Sequence, residues 1–168
     1  LKKAGVNWLA LGIESGNRKI RIDSVKGKFH EVDVKDIVKK IESFDIEIIS
    51  NYMFGMSGDT HKTMQETLDL ATELNTSSAN FNPTMIFPGS PLLTDAMNRG
   101  IDLPPTYSGY SYYSKDSFPN PTETLSREEI LKFRDNAFQK YFNRSEWFDK
   151  IKRKLGFPIS SFPWIIIE

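Results

Sequence analysis

The sequence predicts an α/β fold built on a parallel sheet, and three observations carry that reading. Apolar runs of strand length occupy 6–13 (VNWLALGI), 46–54 (IEIISNYMF) and 79–87. The segments between them place apolar residues at helical spacing. Each apolar run is followed by a polar or glycine-bearing cluster: Glu14-Ser15-Gly16, Gly55 to Thr60, and Pro88 to Pro91. Strands alternating with helices imply βαβ units with right-handed crossovers. Three strands make half of a barrel or of an open sheet. In either arrangement the chemistry lies at the carboxyl ends of the strands, where these clusters fall.

Taken in order, Leu1-Lys2-Lys3-Ala4-Gly5 reads as the last turn of a helix with Gly5 as its C-cap. The first strand runs to Ile13, and Asn17 to Ile22 forms a short helix before the polar break Lys26-Gly27-Lys28. Asp33 is the N-cap of a helix whose apolar face is Val34, Ile37, Val38, Ile41 and Phe44. After the second strand, Asp59 or Thr60 caps a helix to about Leu74, with Met64, Leu68 and Ala71 on one face. Pro88-Gly89-Ser90-Pro91 forces a turn after the third strand, and a helix from Leu92 to Arg99 is ended by Gly100. Residues 101–125 mix four prolines with five aromatic residues, the composition of a packed cover. Ser126 to Glu129 is a capping box that opens a helix to about Phe142, with Ile130, Phe133, Ala137, Phe138 and Tyr141 facing the core. A last helix spans Glu146 to Leu155 and ends at Gly156. The division is 1–98 for the strand-and-helix unit and 99–168 for the cover and helical extension.

Composition sets bounds on function. Lys+Arg 22 against Asp+Glu 22 gives zero net charge, which offers nothing to nucleic acid or an anionic membrane. Leu, Ile, Val and Phe together clear the roughly 20 % floor below which chains tend to be disordered. With no cysteine, disulfides, zinc–thiolate sites and a cysteine-ligated iron–sulfur cluster on this chain alone are excluded. There is no signal-peptide pattern and no apolar run near the ~20 residues of a membrane span, so a cytoplasmic protein is expected. The chain opens on Leu1 inside a helical turn and closes on the apolar Phe162-Pro163-Trp164-Ile165-Ile166-Ile167-Glu168, which reads as an excerpt of a longer protein.

Taken singly, the candidate residues leave alternatives open. Glu14 and Ser15 at a strand's carboxyl end suit the vicinal hydroxyls of a ribose, or Ser15 is simply a helix cap. Lys26 beside Gly27 suits a ligand carboxylate, or is a solvated loop lysine. Asn51, an amide inside an apolar strand, must be paired or cost roughly 1–3 kcal/mol, through structure or through ligand. Gly55 to Thr60 offers backbone N–H groups to an anion, without the lysine of a P-loop. His30 and His61 have no ligand-spaced partner. The aromatic stretch Tyr107 to Tyr113 covers a planar ligand or packs as core.

Read together, Leu11-Gly12-Ile13-Glu14-Ser15-Gly16, Lys26-Gly27, Asn51 to Thr60, and Phe87-Pro88-Gly89-Ser90-Pro91-Leu92 resemble the second half of a radical S-adenosylmethionine enzyme. The likeness is greatest to the group whose members carry an N-terminal cobalamin-binding domain. It spans residues 1 to about 98. Pro121 to Ser126, Phe133 to Phe138 and Tyr141-Phe142 resemble that group's C-terminal extension.

The resemblance implies a partial (β/α)6 TIM-like barrel, with this chain holding strands four to six and a helical extension. It implies S-adenosylmethionine, a [4Fe–4S] cluster whose cysteines lie outside this chain, and cobalamin on a domain outside it. It implies radical chemistry begun by reductive cleavage of S-adenosylmethionine, including methyl transfer. It implies as partners the missing N-terminal half of the barrel, a small-molecule substrate and a flavodoxin or ferredoxin. Carried over by position, Glu14 contacts ribose hydroxyls, Ser15 supports its turn and Lys26 faces the methionyl carboxylate. Asn51 bonds the ribose or holds Lys26, Met53 and Gly55 continue that motif with Met53 against the adenine, and Met85 touches the adenine through its backbone. Met56-Ser57 departs from the usual Leu-Pro, and position 51 is an acid in some relatives. The chain alone is expected to bind no cluster and to be inactive; the alternative is a non-catalytic adenosyl-binding module that has lost the cluster.

Overall fold

The computed structural model describes residues 1–24 and 33–155. Lys26, His30, Gly156 and the apolar end from Phe162 lie outside the described residues. Strands β1 (Trp8–Glu14), β2 (Glu47–Phe54) and β3 (Ser78–Pro83) form one parallel sheet in the order β1-β2-β3. The helices are α1 (Arg18–Ser24), α2 (Val34–Glu42), α3 (His61–Leu74), α4 (Pro91–Asn98), α5 (Arg127–Phe142) and α6 (Ser145–Leu155). This is the α/β class with the parallel sheet that the alternation predicts. Among the described residues no helix is long and apolar enough to cross a membrane.

Local chemistry sets the ends of most elements. Gly5 closes the short 3-10 turn Lys2–Ala4 with φ 86°, a conformation that costs glycine nothing. The Asp33 carboxylate accepts from the N–H groups of Lys35 and Asp36 at the start of α2. Thr60 with Thr63 and Ser126 with Glu129 form reciprocal capping boxes at the starts of α3 and α5. Two expectations shift. The third strand stops at Pro83 and does not reach Phe87. Thr84 N–H makes the last bond to the neighbouring strand, at Phe54 O (2.8 Å). On α2 Val38 is buried with Val34 and Ile41 partly buried beside it, while Ile37, and Phe44 just past the helix end, are exposed. Ile37 lies about 100° round the helix from Val38, on the rim of that stripe.

The sheet has two unlike faces. Ile48, Tyr52, Phe54, Ala79 and Phe81 are buried and form one core with α2, α3, α5 and α6. The intervening residues of β2 and β3 are half-buried, and Trp8, Ala10 and Gly12 of β1 are exposed. Helix α5 lies over β3: Phe138 and Tyr141 meet the Phe81 ring edge-on at 5.3 and 5.7 Å. Tyr141 Oη donates to Thr76 O (2.7 Å), and burial pushes that phenol up to about 12. Lys150 and Lys154 of α6 pair with Glu42 and Glu47, both at 2.6 Å. The segment beyond residue 99 therefore completes the same core as the strands.

Candidate functional site

The site begins with a backbone irregularity at the end of β1. Gly12 pairs with Asn51 and Glu14 pairs with Tyr52, so Ile13 is bulged out of the ladder. Glu14 takes φ 65°, a left-handed conformation that a glutamate adopts only under constraint. Its carboxylate folds back across Gly12, where an added Cβ would stand 2.5 Å from Oε1. Glycine at position 12 makes room for this acid. Burial raises the Glu14 carboxyl above the usual carboxylate range.

The next turn is held from behind. Ser15 is fully buried, its Oγ 3.1 Å from Thr67 Oγ1 of α3, and it accepts from Asn17 N (3.1 Å). The helix cap itself is Asn17, whose Oδ1 accepts from Ile20 N (3.1 Å). The cap reading of Ser15 is thus corrected by two residues; Ser15 braces the turn. Gly16 is pressed against α3, where a Cβ would lie 2.3 Å from Glu66 O.

Glu14 and Met53 line a cavity of about 860 Å³ at the carboxyl ends of the strands, in the size range of small-molecule sites. Ile20, Met56 and Leu92 add apolar surface, and Lys19 and Asp23 of α1 bring one charge of each sign. Sequence reasoning missed the α1 contribution. Its only signal was that a short helix begins directly after the strand-end turn.

The remaining candidates fall around this cavity. Asn51 stands on the bare face of β2, with Nδ2 donating to Leu11 O (3.3 Å) and Oδ1 accepting from Asn80 Nδ2 (2.9 Å). Its amide is satisfied by the protein. Gly55 has φ 74° and faces Ile130 of α5, whose Cδ1 is 2.6 Å from where a Cβ would sit. Met85 is buried, and its carbonyl accepts from Phe87 N (3.1 Å). Glu14 and Met53 are brought together in the cavity, Asn51 adjoins them on the same sheet face, and Gly55 and Met85 lie behind. Lys26 is outside the described residues.

The loop after β2 carries its own anion. The buried Asp59 carboxylate accepts from Met56 N (3.0 Å) and from Thr63 Oγ1 (2.6 Å), and burial raises its pKa. Gly55 N–H also bonds this carboxylate. Anion binding through Gly55 to Thr60 therefore meets an occupied cradle. His61 Nε2 lies 3.1 Å from Glu129 Oε1 on the surface. Among the described residues no group of three or more His, Cys, Asp or Glu could hold a metal ion.

Tyr107 and Tyr113 are 93 % and 60 % exposed, which sets the packing reading of these two aside. Tyr112 meets Phe87 edge-on at 5.7 Å and lies near enough to Glu14 for that charge, after burial, to raise its phenol. The Tyr113 hydroxyl donates to Asn82 Oδ1 (2.8 Å) on β3. Arg134 of α5 is buried, bonded to the carbonyl of Tyr112 and to Asp135, and so anchors the segment.

No family model matches the chain. A curated protein does: the anaerobic magnesium-protoporphyrin IX monomethyl ester cyclase of Cereibacter sphaeroides is 22 % identical over 156 residues. The alignment covers 93 % of this chain and 24 % of the cyclase, so the chain spans about a quarter of that relative's length. This distant likeness to a cyclase of the radical S-adenosylmethionine type supports a coarse link to such enzymes.

Proposed function

We propose that the chain is the adenosyl-binding part of a radical S-adenosylmethionine enzyme, supplying strands four to six of a partial barrel. The observation that carries this is Glu14, folded over Gly12 at the rim of the cavity with Met53 beside it. A half-buried carboxylate at the end of a parallel strand accepts two vicinal hydroxyls, and Met53 gives a planar base an apolar seat. The distant cyclase relative points to the same class. The bare face of the sheet is the side that the rest of the barrel would enclose.

The residues present fit the nucleoside and not the cluster. With no cysteine in the chain, a [4Fe–4S] cluster draws its ligands from elsewhere in the parent protein. Reductive cleavage of S-adenosylmethionine would supply the radical; this chain's part is to bind and orient the adenosyl group and keep water from it. No observation favours cobalamin-dependent methyl transfer, and the proposal stops at radical chemistry.

Calorimetry of the chain with S-adenosylhomocysteine tests the reading. Saturable binding is expected, weakened about tenfold in Glu14→Gln, the worth of one charge-assisted hydrogen bond. Absence of binding, or equal affinity in the variant, overturns it. The coding sequence upstream of Leu1 separates an enzyme, with three closely spaced cysteines, from a binding module without them.

A further inference from the structure

The adenosyl reading uses the carboxyl ends of the strands and leaves a second group set on the bare face unexplained: Asn51, Asn80 and Asn82. The bonds around Asn51 and Asn80 fix their orientations, and Asn82 stands with Oδ1 toward the Tyr113 hydroxyl. Leu11 O only accepts, so Asn51 turns Nδ2 toward it. Asn51 Oδ1 therefore faces Asn80, which must present Nδ2. Asn80 Oδ1 is left as an acceptor without a partner among the described residues. At Asn82 the Tyr113 hydroxyl takes Oδ1, leaving Nδ2 as a donor without one. The two residues are two positions apart on β3, on one face and about 6.6 Å from each other. A single substituted ring bridges that span.

Charge narrows the ligand. No Lys or Arg stands on β1, β2 or β3. Glu47, at the start of β2, is paired with Lys154. Arg134, whose charge reaches Tyr113, is 8 % exposed and committed to Asp135 and the Tyr112 carbonyl. The exposed Tyr113 ring offers an aromatic surface for stacking beside the amides.

We propose that Asn80, Asn82 and Tyr113 form the substrate-recognition surface of this protein, a role that rests on the radical-enzyme reading above. The substrate is an uncharged ring compound bearing both an N–H donor and a carbonyl acceptor, of the lactam or imide class. A ligand lacking either group would leave one amide unpaired and be rejected for it. The three strands themselves offer phosphorylated and carboxylate compounds no cation.

Uracil is the probe, with inorganic phosphate and acetate as anionic controls, read by the side-chain amide NMR signals of the full 168-residue chain. Uracil is expected to shift the Asn80 and Asn82 amides saturably, while the two anions leave them unmoved. Asn82→Asp exchanges the donor for a charge and should abolish the effect. Tyr113→Phe removes one exposed hydroxyl and should weaken binding about threefold by releasing Asn82. Phosphate or acetate binding at these amides as tightly as uracil, or uracil leaving the Asn80 and Asn82 amides unmoved, overturns the proposal. S-adenosylhomocysteine added to the same samples separates the two readings. If it binds and uracil does not, the recognition surface fails alone. If uracil binds and it does not, the amide surface is supported and the adenosyl reading fails alone.

Discussion

On one face of the sheet Tyr52, Phe81 and Phe54 stack with ring centroids 5.4 and 5.6 Å apart, and α5 sets Phe133 edge-on at 5.0 Å. On the other, the same strands carry the half-buried Asn51, Met53, Asn80 and Asn82. The backbone ladder is common to both, so the difference lies in what each alternate side chain meets. The covered face holds the fold together, since removing apolar contact there leaves a cavity. The bare face contributes little to stability and holds the oriented hydrogen-bonding groups. Substitutions on the two faces should therefore be read out by different experiments.

Phe81→Ala should have the largest effect, a loss of about 4 kcal/mol in chemical denaturation, because four aromatic neighbours of the ring lose their contact. A loss below about 1 kcal/mol would remove the distinction between the faces. The glycines of the Gly12 to Gly16 turn sharpen it. Gly16→Ala drives a Cβ into the α3 backbone at Glu66 and should cost about 3 kcal/mol. Gly12→Ala meets only the far end of the Glu14 side chain. It should shift stability by less than about 1 kcal/mol while weakening S-adenosylhomocysteine about tenfold. Equal melting temperatures for the two variants would contradict this assignment.

Acidity gives a smaller, separable signal. Glu14 has its folded-state pKa raised above the ordinary 4.5, so its ionisation opposes folding. The stability linked to its protonated form is full below the ordinary value and is lost as pH rises through the raised one. Binding that needs the carboxylate runs the other way, strengthening over the same interval. Glu14→Gln should flatten both profiles, and a binding profile unchanged in that variant would mean another group titrates. The smallest effect belongs to Lys35→Ala. That residue's pair with Glu73 lies on the surface, 46 % and 57 % exposed, and its loss should stay within about 0.5 kcal/mol by thermal melting.

What could be read in advance was what neighbouring residues decide among themselves. Thr60, Ser126 and Asp33 cap helices through atoms two or three positions away, and those helices start where their side chains predict. Positions settled by distant partners were not legible. Ser15 looks like a cap until Thr67, far along the chain, is seen beside it. Asp59 looks like a helix cap until its carboxylate is found inside its own loop. The amides on β3 did leave a signal: Asn80 and Asn82 alternate with Ala79, Phe81 and Pro83, the period of a sheet with two unlike sides. Read as a continuous apolar run, that alternation goes unnoticed.

Helix α5 covers β3 from some sixty residues further along the chain, Tyr141 lying on Phe81. During synthesis, which delivers the chain N-terminal end first, Tyr52, Phe54 and Phe81 are all made well before the helix that shields them. A nascent chain paused between α4 and α5 would present a bare aromatic ladder, the kind of surface that invites aggregation. The stretch at 101–125 thus also sets a delay, and shortening it would bring the cover home sooner.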